Sequence, residues 1–180
     1  SGGTWANSSY LYIGALNGSR GSLTINSGNV TNTDGYVGDG ASSNGTASVS
    51  GGTWVNSGEL TIGRDGTGTL GISGGNVTNT SGNIGLNAGS TGTVNVSGGN
   101  WTNSGNLTIG SSGTGNLTIT GGIVTSTNGW VGNSTGSTGT TTPRPATSFT
   151  PATLSTRSQR GAGSGSAKAL APTSARITQS

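Results

Sequence analysis

Ser50–Val96 reads SGGTWVNSGELTIGRDGTGTLGISGGNVTNTSGNIGLNAGSTGTVNV, and its pattern returns with SGGNWTNSGNLTIG at Ser97, 47 residues later. It also extends backwards, because Val30 precedes Val77 by 47 residues and Trp5 precedes Trp54 by 49. Self-similarity at a fixed period is the signature of a repeat architecture and takes precedence over any single motif.

The unit divides into two. Two residues after each Gly pair or its equivalent stand Trp5, Val30, Trp54, Val77, Trp101 and Val124, at spacings of 25, 24, 23, 24 and 23. Two residues further on stand Asn7, Asn32, Asn56, Asn79, Asn103 and Ser126. A β-branched residue followed by glycine comes next in every half-unit, from Ile13-Gly14 to Val131-Gly132. A third segment alternates apolar with polar, as in Leu23/Ile25, Ala47/Val49, Leu70/Ile72, Val94/Val96 and Leu117/Ile119. Each half-unit thus holds three short stretches of period 2 between Gly, Asn, Ser and Thr turns, the pattern of three short strands.

Three strands in so few residues cannot bury their own apolar faces, but they can when stacked on a like neighbour about 4.8 Å away. The expected fold is therefore all-β, a parallel β-helix (β-solenoid) of about six coils, 23–25 residues per coil, paired into 47-residue repeats. Six coils at that rise span about 29 Å. Leu60, Ile62, Leu70 and Ile72 should point inward. Trp and Val should alternate in one column, and the asparagines should form a ladder of carboxamides that donate and accept in turn. Each glycine after Ile or Val should supply a positive φ or admit a close backbone. A β-propeller also repeats at 40–50 residues, but its four-stranded blades fit the half-unit poorly.

The pattern stops at Thr140. Residues 1–139 form the expected repeat region, a fragment of a longer array, and 140–180 a disordered tail rich in Ala, Ser, Thr, Pro and Arg. Prolines such as Pro143 cannot donate within a stacked ladder. A one-base frameshift turns Asn, Ser, Gly and Thr codons into a similar composition; an ordinary linker shares it, and both readings stand.

Composition narrows the function. Of 180 residues 38 are Gly and 6% are charged, with no Cys, His or Met. The repeat region carries Arg20 and Arg64 against Asp34, Asp39, Glu59 and Asp65, while the five other basic residues lie in the tail. A faintly acidic domain with a basic tail lacks the basic face that nucleic acid requires. Catalysis lacks His and Cys, and the carboxylates fall in different coil positions, so no catalytic residue is expected. Asp39 and Arg64, each following a column glycine one coil apart, should meet as a cross-rung ion pair rather than an active site. Calcium-binding GGxGxD repeats place a carboxylate in every turn, whereas here Thr53, Asn76, Asn100 and Ile123 stand after Gly-Gly. No metal site and no cofactor are expected. Tyr12, Tyr36 and Trp130 precede the column Ile/Val and should point outward as scattered aromatics, because Thr61, Asn83 and Thr108 interrupt their column. Outward threonines (Thr24, Thr61, Thr108, Thr118) make ice binding a minor option.

The elements W-x-N-S-G-x-L-x-I-G and G-T-G-x-L-x-I-x-G-G, which recur in register over Ser1–Gly139, resemble the repeats shared by autotransporter (type V secretion) passengers and PEP-CTERM proteins. That resemblance implies a Gram-negative bacterium, export to the cell surface, and a structural stalk or adhesin role without catalysis. It implies an outer-membrane β-barrel translocator as partner, and host or matrix glycans or proteins as ligands. The alternative is a piece of a carbohydrate-active β-helix enzyme whose active site lies outside this chain. Uncapped end coils should expose strand edges and favour self-association.

Overall fold

The computed structural model describes residues 2–143 and 148–156; for 143 and 148–156 only the backbone is described. These residues wind into stacked coils, and every strand pairing among them is parallel. The first coil holds β1 (Thr4–Ala6), β2 (Leu11–Ile13) and β3 (Arg20–Ile25). The second holds β4 (Asn29–Asn32), β5 (Gly35–Val37) and β6 (Asn44–Val49). The third begins with β7 (Thr53–Asn56) and β8 (Glu59–Ile62). From there strands run continuously around one corner, as β9 (Thr67–Asn79), β11 (Thr91–Asn103) and β13 (Thr114–Val131), with β10 (Ser81–Ile84) and β12 (Asn106–Ile109) between them.

The three segments of each half-unit become three faces. On the first, Trp5, Val30, Trp54, Val77, Trp101 and Val124 lie in register, so large and small anchors interleave. On the second, Ile13, Val37, Ile62, Ile84, Ile109 and Val131 stack. On the third, Leu23, Ala47, Leu70, Val94 and Leu117 stack. Leu60, Ile62, Leu70 and Ile72 are fully buried, each contributing about 1.5–3 kcal/mol. The core is therefore one continuous column inside the coils.

The glycine after each Ile or Val has a positive φ, and all of them but Gly132 also admit a close backbone. Gly38 has φ 75°, and a Cβ there would drive into the backbone of Thr67 and Gly68 on the next coil. Only a residue without a side chain turns this corner and lets the neighbouring backbone approach.

Two expectations are corrected. The asparagine column is not a continuous ladder. Asn32 Nδ2 donates to Asn56 Oδ1 at 2.6 Å and Asn79 Nδ2 to Asn103 Oδ1 at 2.6 Å. Asn56 and Asn103 then donate to the backbone oxygens of Thr78 and Thr125, at 3.5 and 3.1 Å. The break comes from the indoles: Trp54 Nε1 donates to Asn32 Oδ1 and Trp101 Nε1 to Asn79 Oδ1. An oxygen already engaged by tryptophan leaves the carboxamides paired rather than chained.

Nor does the ladder end at Thr140. β14 (Thr138–Pro143) runs through that boundary beside Thr114–Ile119, and β15 (Ser148–Thr156) lies along Ile123–Val131 as the start of a seventh coil. The register sets Phe149 opposite Val124 and Leu154 opposite Gly129. Among the described residues both strands pair only with β13, and an edge strand admits the prolines that an interior strand would reject. The remainder of the expected tail lies outside the described residues.

Candidate functional site

Repetition leaves few positions where chemistry can differ, and those that differ gather on one side. All three tyrosines and all four carboxylates of the chain lie on or beside the second face, in the first three coils. Tyr12 and Tyr36 are register partners on β2 and β5, and Thr61 on β8 follows them. Period 2 turns these side chains outward from the buried Ile13, Val37 and Ile62. Two positions earlier, the same register brings Tyr10, Asp34 and Glu59 into a neighbouring column. The corner after each column glycine supplies Asp39, Arg64 and Asp65.

The tyrosine rings form one cluster. Tyr12 and Tyr36 stack with centroids 5.2 Å apart and planes 18° apart. Tyr10 meets both edge-on, at 6.0 and 6.1 Å. On the far side of Tyr36 the Arg64 guanidinium lies 5.0 Å from the ring centroid, within cation–π range. Tyr36 is thus held between a ring and a cation. Burial raises its hydroxyl pKa first, and the charges of Asp34 and Glu59 raise it further.

Arg64 also carries the ion pair. Its Nε stands 2.9 Å from Asp39 Oδ1 and 3.4 Å from Asp65 Oδ2. The N–H points at Asp65, so the contact to Asp39 is a charge contact without an aligned hydrogen bond. Asp65 Oδ1 accepts from Asn87 Nδ2 at 2.8 Å, which carries the cross-rung contacts into the fourth coil. Burial pushes the Asp39 carboxyl above the ordinary range, and the pull of Arg64 does not offset it. The Asp39–Arg64 pair meets as the spacing predicted, with one acid largely desolvated.

The remaining carboxylates are tied to the backbone and to threonine. Asp34 Oδ1 accepts from the Glu59 amide at 2.6 Å, and Glu59 Oε1 accepts from the Thr61 hydroxyl. Among the described residues, neither Asp34 nor Glu59 has a cationic partner within salt-bridge distance. The patch therefore offers rings, three exposed or half-exposed carboxylates and one guanidinium. Rings, carboxylates and a guanidinium set side by side can take part in recognition, through ring faces and charge-assisted hydrogen bonds.

Other expectations about outward residues divide. Trp130 is half-buried in the sixth coil, opposite Thr108 and far along the stack from the tyrosines. Thr61 and Thr108 point outward from the core but are buried rather than exposed. Each has an aromatic neighbour on the adjacent rung of its column, Tyr36 and Trp130 respectively, and a small side chain beside a large one is covered laterally. That removes two of the four threonines from any ice-binding array. The column of Tyr12 and Tyr36 does not include Tyr10; the signal for it is the coincidence of Tyr10, Asp34 and Glu59 two residues before Tyr12, Tyr36 and Thr61. No protein-family model, curated protein or solved structure matches this chain.

Proposed function

We propose that this chain is a non-catalytic, surface-displayed rod of the autotransporter-passenger kind, whose adhesive contact is the tyrosine–carboxylate patch of its first three coils. The observation that carries the reading is an asymmetry. Nearly every recurring position serves the stack, as core, corner glycine or buried carboxamide, while the tyrosines and acids are confined to one place. A scaffold whose recurring positions serve the stack, and whose tyrosines and acids gather in one place, supports a recognition role at that place. Rings with exposed edges beside unpaired carboxylates suit the hydroxyl groups of glycans and the polar side chains of proteins. Export through an outer-membrane β-barrel translocator and display at the bacterial surface belong to the same proposal, and rest on the W-x-N-S-G-x-L-x-I-G resemblance.

The test is a glycan and matrix-protein array probed with the full chain and with a Tyr10→Ser, Tyr12→Ser, Tyr36→Thr variant. Binding by the parent that the variant loses supports the proposal. Equal binding by both removes the patch from it. Release of cleaved sugar from any arrayed polysaccharide overturns the non-catalytic reading in favour of a carbohydrate-active enzyme.

A further inference from the structure

The dipeptide Asn-Gly occurs at Asn17-Gly18, Asn44-Gly45 and Asn128-Gly129. Glycine, lacking a Cβ, is the successor that least hinders attack of its own amide nitrogen on the asparagine side chain. By local sequence the three are equal. The coils make them different.

Asn17-Gly18 forms the middle of a turn at the corner between the second and third faces. Ser19 N donates to Leu16 O at 2.9 Å, and Gly18 has φ 72°. Both residues are exposed, and a Cβ on Gly18 would meet nothing within 4 Å. Among the described residues the Asn17 carboxamide has no hydrogen-bond partner. The Gly18 amide is held by the Ala41 carbonyl oxygen at 3.1 Å. This exposure belongs to the turn itself. Asn87–Ser90 closes in the same way in the fourth coil, with Ser90 N on Asn87 O at 3.0 Å. There Asn87, Ala88 and Gly89 are exposed with a coil on either side.

The other two glycines are locked in ladders. Gly45 lies inside β6, paired with Gly21 on one side and Gly68 on the other. A Cβ there would run into the Ile13 oxygen and the Gly38 nitrogen. Gly129 lies inside β13 between Leu107 and Leu154, and Asn128 Nδ2 donates to Asn106 Oδ1 at 2.9 Å. Asn44 is itself exposed, so exposure of the side chain is not what separates the sites. In β6 and β13 the glycine nitrogen reaches the side chain only when a stacked strand opens, whereas a surface turn opens alone.

We propose that Asn17-Gly18 is a self-modification site, where Asn17 is converted through a cyclic imide to isoaspartate and aspartate while Asn44 and Asn128 are spared. The Gly18 nitrogen bonds to Asn17 Cγ, the Cγ–Nδ2 bond breaks, and ammonia leaves with the amide proton. Water then opens the ring at either carbonyl, and it is the one co-reactant the sequence of steps consumes. Isoaspartate lengthens the main chain by a methylene where it is closely packed, since a Cβ on Gly40 would lie 2.6 Å from the Leu16 carbonyl carbon and 2.9 Å from Asn17 N. Either product adds a carboxylate one coil from Asp39. The proposal holds whether or not the rod is adhesive.

Cleavage after Arg20 and Arg64 puts the three asparagines in separate peptides, so mass spectrometry follows each one after the folded chain is incubated at neutral and mildly alkaline pH. Asn17 should convert at least about tenfold faster than Asn44 or Asn128, the ratio that a difference of about 1.4 kcal/mol in local opening supplies. The rate should rise with pH, because the amide nitrogen attacks as its anion, and a protein isoaspartyl methyltransferase should label the product. Asn17→Gln should abolish both the mass change in the first peptide and the label. In guanidinium chloride the three rates should converge. A smaller ratio in the folded chain, or a ratio that persists unchanged after unfolding, overturns the proposal.

Discussion

The indole N–H of Trp54 donates to the Asn32 carboxamide 22 residues earlier, at 2.8 Å, across the boundary between a Val coil and a Trp coil. This bond, with its counterpart from Trp101 to Asn79, gives the 47-residue period a physical cause. Two consecutive coils are locked by an indole and a carboxamide pair, so the coils are no longer equivalent. Trp54→Phe keeps a large ring but leaves Asn32 Oδ1 buried without its donor, at a cost of about 1–3 kcal/mol. Trp101→Phe should cost about as much, whereas Trp5→Phe, at an exposed position, should stay within about 0.5 kcal/mol. Urea unfolding with unchanged slope would measure all three; equal effects at Trp5 and Trp54 would sink the argument.

Two glycines on the same strand should respond in opposite ways. A Cβ on Gly68 would press into the backbone of Val37, Ile62 and Gly63, and none of these can swing aside as a side chain could. Gly68→Ala should therefore destabilise by about 1–3 kcal/mol or more through overpacking. Gly71 faces open space at an ordinary φ, so Gly71→Ala should stabilise its strand by roughly 0.5–1 kcal/mol. Thermal unfolding of the two single variants distinguishes corner packing from simple strand propensity.

The coils were legible because periodicity is a one-dimensional signal and each coil repeats the one before. What escaped were relations between columns. The asparagine column reads as uniform until the neighbouring tryptophan column is allowed to compete for its oxygens. Tyr12 and Tyr36 read as scattered because Thr61 interrupts them, yet Tyr10 on one side and Arg64 on the other complete a cluster. Those contacts depend on side-chain reach across adjacent columns, which spacing along the chain does not encode. Pro143 read as a ladder breaker; that holds for an interior strand, but the structure puts it on an edge strand.

Asp39 gives the fold a pH dependence of definite sign. Its carboxyl is raised above the unfolded value by burial, so between the two values the folded state binds more protons than the unfolded. Its contribution to stability is therefore present below the unfolded value of about 3.8 and is lost as pH rises through the folded value. Asp39→Asn removes the titration: the variant should be at least as stable as the parent at pH 7, and the two stability–pH curves should converge as pH falls. Arg64 keeps Asp65 as a partner in the variant. A variant that is less stable at pH 7 would mean that the ion pair outweighs the burial.

Ser126 stands where four earlier coils bury an asparagine, and its hydroxyl is buried without a hydrogen-bond partner. Ser126→Ala removes a polar group that gains nothing from the fold, so it should be neutral or stabilise by up to about 1 kcal/mol. One coil earlier, Asn103 accepts from Asn79 and donates to the Thr125 carbonyl. Asn103→Ala strands both, each at about 1–3 kcal/mol, so the same column should show opposite signs at adjacent rungs. Equilibrium unfolding of the two variants and their double mutant reads this directly. If Ser126→Ala costs as much as Asn103→Ala, the serine hydroxyl has a partner and the column is satisfied through the sixth coil; if it does not, the carboxamide column ends at Asn103.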